Sequence, residues 1–83
     1  LYICDWINHR ILYYPAGSTT GTKVYGQNGI LTSNIANNGG ISANSLNNPL
    51  SVILDVNNNV YIADSSNHRV LYYPANSSTT ATR

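Results

Sequence analysis

Charge is scarce in this sequence: four basic and three acidic residues leave a net of only +1. A nucleic-acid binder ordinarily carries a basic stripe, and no such stripe is present. Cysteine occurs once, so Cys4 can form no disulfide within the chain. No apolar run approaches the ~20 residues a membrane-spanning helix needs. No signal-peptide pattern opens the chain, and any targeting segment is expected to lie outside this sequence. Phe and Met are missing altogether, whereas Tyr occurs seven times among abundant Asn, Ser, Thr and Gly. Tyr, Val, Ile and Thr suit pleated surfaces, and Asn and Gly supply turns, so this is the vocabulary of an all-β chain. At 83 residues it makes at most one domain, which buries only about 60% of its unfolded surface.

The strongest signal is repetition. NHRILYYPA at 8–16 returns as NHRVLYYPA at 67–75, with Val70 standing 59 positions after Ile11. The correspondence extends to LYICDWINHRILYYPA over VYIADSSNHRVLYYPA and, after one skipped residue near Gly17, to STTGTK (18–23) over STTATR (78–83). A period of this length means a structural unit that cannot bury its apolar faces alone and must stack.

The unit reads as strands. LSVILDV (50–56) alternates Leu50, Val52, Leu54 and Val56 against Ser51, Ile53 and Asp55, and Asn57–Asn59 supply a tight turn. VYIAD (60–64) and RVLYY (69–73) flank a short polar loop, and Pro74 stops the third strand. KVYGQ (23–27) reads as a fourth strand in the first copy. Several strands are apolar on both faces, so sheets covered on both sides are expected. Four-stranded sheets stacked on copies of themselves are propeller blades.

NNPLSVILDVNNNVYIADSSNHRVLYYP (47–74) resembles an NHL repeat, a β-propeller blade with a Pro-led inner strand, a hydrophobic-Tyr-hydrophobic-Ala-Asp second strand and an Asn-His-Arg lead into the third. It departs at Asn57-Asn58-Asn59, where that family often carries Gly. With strands lettered a to d from the inside out, the resemblance implies b, c and d of one blade at 2–5, 10–14 and 23–27. Strands a, b and c of the next fall at 50–56, 60–64 and 69–73. The organisation expected is therefore 1–27 as one partial blade, 28–49 as an Asn/Gly-rich inter-blade loop, and 50–83 as the next. A ring closes with about four to eight blades, so the ring in this chain is incomplete. The expected neighbours are further blades of a longer chain, or further copies of this one.

The resemblance implies a non-catalytic scaffold that recognises a protein or glycan through its face loops. RNA binding and, more remotely, an amidating-lyase-like activity occur on similar propellers and are the alternatives. Asp5 and Asp64 end strand b while Arg10 and Arg69 open strand c, a spacing that reads as pins for the b–c loop. His9 and His68 number one per blade and do not form a metal-binding cluster, so no metal or other cofactor is expected. No G-x-S-x-G turn is present for a nucleophile. Asp55-x-Asn57-x-Asn59 imitates the start of a calcium loop but lacks Gly at Val60 and Glu at Ser66, and reads as a hairpin turn. Asn76-Ser77-Ser78 is an N-glycosylation sequon, which favours an extracellular or cell-surface setting.

The copies differ most in the b–c loop, where Trp6-Ile7 stands opposite Ser65-Ser66, and loops carry function more often than frameworks do. Trp6, Ile7, His9, Arg10, Ser65, Ser66, His68 and Arg69 are accordingly the candidate ligand contacts. Cys4, opposite Ala63, is expected to act as a small hydrophobe. Tyr13-Tyr14 and Tyr72-Tyr73 are assigned to sheet packing.

Overall fold

The computed structural model describes residues 1–75 and 78–83; the sequon residue Asn76 falls outside them. The described residues form six strands in two three-stranded antiparallel sheets. Strands β1 (Tyr2–Asp5), β2 (Arg10–Tyr13) and β3 (Lys23–Tyr25) make the first sheet, in that order. Strands β4 (Ser51–Leu54), β5 (Val60–Asp64) and β6 (Arg69–Tyr73) make the second. The repeat is kept in register: Asp5 pairs with Arg10 across β1–β2, and Asp64 with Arg69 across β5–β6. Thr22 N–H donates to the Tyr13 carbonyl at 3.0 Å, and Thr82 N–H to the Tyr72 carbonyl at 2.9 Å, so the last residues run beside β6 as the lead into β3 runs beside β2. No helix among the described residues is long and apolar enough to cross a membrane.

Several details differ from the sequence expectations, the smallest being that the strand expected at 10–14 ends at Tyr13. The segment 23–27 is strand only to Tyr25, because Gly26 turns to φ +85° and Gln27 begins a 3-10 turn. The strand expected at 50–56 stops at Leu54, where the Asp55 side chain takes over the turn. Its Oδ1 accepts the amides of Asn57 and Asn59 at 2.9 and 3.0 Å, and its Oδ2 accepts the Asn59 side-chain amide at 2.9 Å. Those bonds, the Asn59 side chain first, hold its carboxyl below the usual carboxylate range. The carboxylate thus serves the hairpin. Finally, the sheets are not covered on both sides throughout: Leu50, Ile53, Leu54 and Val56 are all exposed, and Val52 alone of the 50–56 segment packs against the core.

The core lies between the two sheets. Ile11 and Tyr25 from the first meet Val60, Ile62, Leu71 and Tyr73 from the second, with Leu46 of the connector and Ala81 completing the layer. Fully burying one such aliphatic side chain is worth about 1.5–3 kcal/mol, so this layer is what joins the sheets. Tyr25 and Tyr73 meet edge to face at 4.9 Å and 84°, a favoured aromatic geometry. The Tyr73 hydroxyl is buried without a hydrogen-bond partner among the described residues.

Burial pushes the Tyr25 hydroxyl above its ordinary pKa, reinforced by its hydrogen bond with Tyr2, and burial followed by the charge of Asp64 does the same at Tyr73. In the unfolded chain both would ionise near the ordinary tyrosine value of about 10. The stability they confer is therefore complete below about pH 10 and falls as pH rises further, by up to about 1.4 kcal/mol per pH unit for each ring. Urea denaturation between about pH 8 and pH 11 should show this decline. Combining Tyr25→Phe with Tyr73→Phe should flatten it, and a decline that survives both changes would place its origin elsewhere.

Candidate functional site

Both b–c loops fold into the same device. Trp6–Asn8 and Ser65–Asn67 are single 3-10 turns, each closed by a histidine in the left-handed region, His9 at φ 57° and His68 at φ 56°. Below each turn lies an ion pair. Arg10 Nε donates to Asp5 Oδ2 at 2.7 Å, and Arg69 Nε to Asp64 Oδ2 at 2.7 Å. Asn8 Nδ2 reaches both oxygens of Asp5 at 3.0 and 3.1 Å, and Asn67 Nδ2 reaches Asp64 Oδ2 at 2.8 Å. One Asp, one Asn and one Arg per copy thus lock the loop to its strands through charge-assisted bonds.

The arginines also reach outward. Arg10 Nη1 donates to the carbonyls of Leu31 at 2.7 Å and Ser33 at 3.4 Å. Arg69 Nη2 donates to those of Ser42 and Ser45, both at 2.9 Å. The connector is therefore fastened at both ends to the b–c hairpins. The second fastening is the tighter, since Asp64 Oδ1 also accepts the Asn47 amide at 2.7 Å, and Ser66 N–H returns a bond to the Asn47 carbonyl at 3.1 Å. Asn37 and Asn67 exchange side-chain amide bonds of 2.7 and 2.9 Å.

Gln27 ties this end of the molecule together. Fully buried, it donates through Nε2 to the carbonyls of Asn8 and His9 at 3.1 and 3.0 Å and to that of Ile35 at 2.7 Å. Its Oε1 accepts the Ile35 amide at 2.9 Å. The loop bearing Trp6 and Ile7 and the bend bearing Ile35 thus share one side chain, and all three apolar residues are exposed.

The sequence candidates fall into two groups. Trp6, Ile7, Ser65, Ser66 and His68 stand out at the loop end, open to contact. Arg10 and Arg69 are engaged in the ion pairs and with connector carbonyls, and half-buried His9 accepts the Asn48 amide on Nδ1 at 3.0 Å. Cys4 borders the core, its thiol donating to the Pro49 carbonyl at 3.0 Å, and burial raises its pKa. Gln27, Asn37 and Asn47 were not singled out from sequence. Gln27 has no counterpart within the second copy here, and in an Asn-rich connector no asparagine stands out by type.

No group of three or more His, Cys, Asp or Glu side chains gathers among the described residues. A cleft of about 120 Å³ lined by Tyr2, Lys23, Tyr25, Asn58, Val60, Pro74 and Ala75 opens at the opposite end of the sheets. Small-molecule pockets usually run to about 300–1,000 Å³, well above the volume of this cleft.

Repeated antiparallel hairpins, each locked by an Asp–Asn–Arg set and stacked face on face, define a β-repeat module of the kind that builds propellers. Residues 46–73, the segment that contains all of β4–β6, match the NHL repeat family model. Neither the curated proteins nor the solved structures yield a match to the chain.

Proposed function

We propose that the chain is a non-catalytic binding module that recognises a protein or glycan through the b–c loop end of its blades. The observation that carries this reading is the exposed set Trp6, Ile7 and Ile35, held on backbone that the buried Gln27 amide and the Asp5–Asn8–Arg10 lock make rigid. Exposed aromatic and aliphatic groups on a fixed framework lose little entropy on binding, which is the anatomy of an interaction hot spot. Two isoleucines beside the indole favour an apolar protein surface over a sugar face.

Nucleic acid is the weaker alternative. Each of the four cations has a partner: Arg10 and Arg69 lie in ion pairs, Lys23 lies 4.9 Å from the Tyr13 ring and Arg83 lies 4.2 Å from the Tyr72 ring. Little charge is left for phosphate contacts.

Trp6 is the single tryptophan, so its fluorescence reports directly on this surface. Screening peptide and glycan libraries by indole emission is expected to return peptide ligands whose affinity drops at least about tenfold in Trp6→Ala. Ligands that bind Trp6→Ala as well as the parent would remove the loop end from recognition. A steeply salt-dependent affinity for RNA would replace the proposal with the alternative.

A further inference from the structure

Asn-Gly occurs twice in the chain, at Asn28-Gly29 and Asn38-Gly39, and the fold treats the two dipeptides in opposite ways. Glycine lets its backbone nitrogen approach the preceding Asn Cγ closely, so either dipeptide is chemically labile. At Asn28 the backbone is pinned. Asn28 N–H donates to the Asn44 carbonyl at 2.9 Å, Gly29 N–H to that of Gly26 at 3.1 Å and Ile30 N–H to that of Gln27 at 3.0 Å. Closing a five-membered ring requires the Gly29 nitrogen to eclipse Cβ about the Asn28 Cα–C bond. At ψ 33° it lies nearest the Asn28 nitrogen instead. The attacking atom is thus both engaged and misdirected.

Asn38 stands in the reverse condition. It lies in a turn closed by Gly40 N–H on the Asn37 carbonyl at 2.6 Å. Among the described residues neither the Asn38 carbonyl nor the Gly39 N–H enters a hydrogen bond, so the peptide between them turns without breaking one. What restrains Asn38 is its side chain: Nδ2 donates to Ser33 Oγ at 2.9 Å and lies 3.5 Å from both Gln27 O and Gln27 Oε1.

We infer that Asn38 is a site of spontaneous deamidation and that its product unfastens the connector from Gln27. The Gly39 nitrogen gives its proton to solvent base and attacks Asn38 Cγ. The Cγ–Nδ2 bond breaks, solvent returns a proton, and ammonia leaves a cyclic imide. Water then opens the imide. Breaking the bond from the Gly39 nitrogen to Cγ gives aspartate; breaking its bond to the Asn38 backbone carbon gives isoaspartate. The net change is one water consumed and one ammonia released, with no oxidation. Aspartate puts an acceptor where an amide had donated, facing two oxygens of Gln27. Isoaspartate adds a methylene to the main chain as well. Gln27 holds the carbonyls of Asn8, His9 and Ile35, so the bend around it slackens. None of this rests on the loop-end reading.

Peptide mapping of the 83-residue chain by mass spectrometry, after incubation at mildly alkaline pH, tests the inference, with enzymatic isoaspartyl methylation as a second readout. Conversion at Asn38 is expected to outrun that at Asn28 at least about tenfold, because three backbone bonds must open at one and a single side-chain bond at the other. The difference should vanish in denaturing urea, where both dipeptides are exposed. Ser33→Ala, which frees the Asn38 amide, should speed its conversion about two- to tenfold. Equal or faster conversion at Asn28 in the folded chain would overturn the inference, as would a preference for Asn38 that survives in urea. A Ser33→Ala rate equal to the parent's would remove Ser33 as the restraint. Asn38→Asp, the direct product, should lower the urea midpoint further than Asn38→Ala, which removes the amide without adding charge. Equal midpoints would overturn the claim that the product unfastens the connector.

Discussion

Asp64→Ala should cost about 3–5 kcal/mol of stability, and the same substitution at Asp5, its counterpart in the repeat, only about 1–2. Both carboxylates accept an arginine Nε at 2.7 Å, so distance does not distinguish them. Environment does. The Asp64 side chain is 0% exposed and the Asp5 side chain 23%. Asp64 also accepts the Asn47 amide, a bond that fastens the connector to the second hairpin. Removing it takes the acceptor from the Asn47 amide and one bond each from Asn67 Nδ2 and Arg69 Nε, at a carboxylate position that water does not reach, and an unpaired buried donor costs more than the bond itself returned. Around Asp5, water can take the carboxylate's place. For a domain this small the larger figure is a substantial part of total stability. Urea denaturation of both variants settles the comparison. If Asp64→Ala is too unstable to measure, Asp64→Asn, which keeps an acceptor for the Asn47 amide, should fall between parent and Ala. Equal losses at the two positions would show that the connector bond contributes nothing.

Gly26→Ala is expected to lose about 2–5 kcal/mol, through two causes acting together. At φ +85° and ψ −170° the backbone occupies a region essentially reserved for glycine. An added Cβ would also lie 2.9 Å from Leu46 Cγ, 3.0 Å from its Cδ1 and 3.1 Å from the His9 carbonyl oxygen. Leu46 is fully buried in the layer between the sheets, so it has no free direction in which to yield. Gly29 supplies the control. It has φ +78° with nothing within 4 Å of the added carbon, so Gly29→Ala should register backbone strain alone, about 1 kcal/mol. Thermal melts of the pair separate strain from crowding, and equal losses would mean that Leu46 moves aside without cost.

The residues that could be read from sequence are those the chain states twice. Asp5 and Asp64, Arg10 and Arg69, and the paired tyrosines of β2 and β6 sit at matching places in both sheets, and their repetition located the hairpins to within a residue. The 3-10 turns between the strands were hidden because Trp6-Ile7-Asn8 and Ser65-Ser66-Asn67 share only asparagine, and their shape comes from the left-handed histidines that close them. In sequence Gln27 reads as the end of a strand. What overrides that reading is Gly26, whose close approach to Leu46 depends on a residue far along the chain. Alternation over 50–56 likewise gave the faces of β4 without their covering. Val52 finds the core while Leu54, on the same face, stays exposed, because burial depends on where the neighbouring sheet stops.

The arginine fastenings impose an order of events in time. Each hairpin closes over a handful of residues, whereas the bonds from Arg10 to Leu31 and from Arg69 to Ser42 span 21 and 27 positions. Short closures form in microseconds and long ones bear a larger entropy cost before any contact compensates it. On that ground the guanidinium groups are expected to meet their carboxylates before the connector docks on them. Hydrogen exchange should then show the connector amides of 28–44 opening ahead of the strand amides, and equal protection of the two would refute that order.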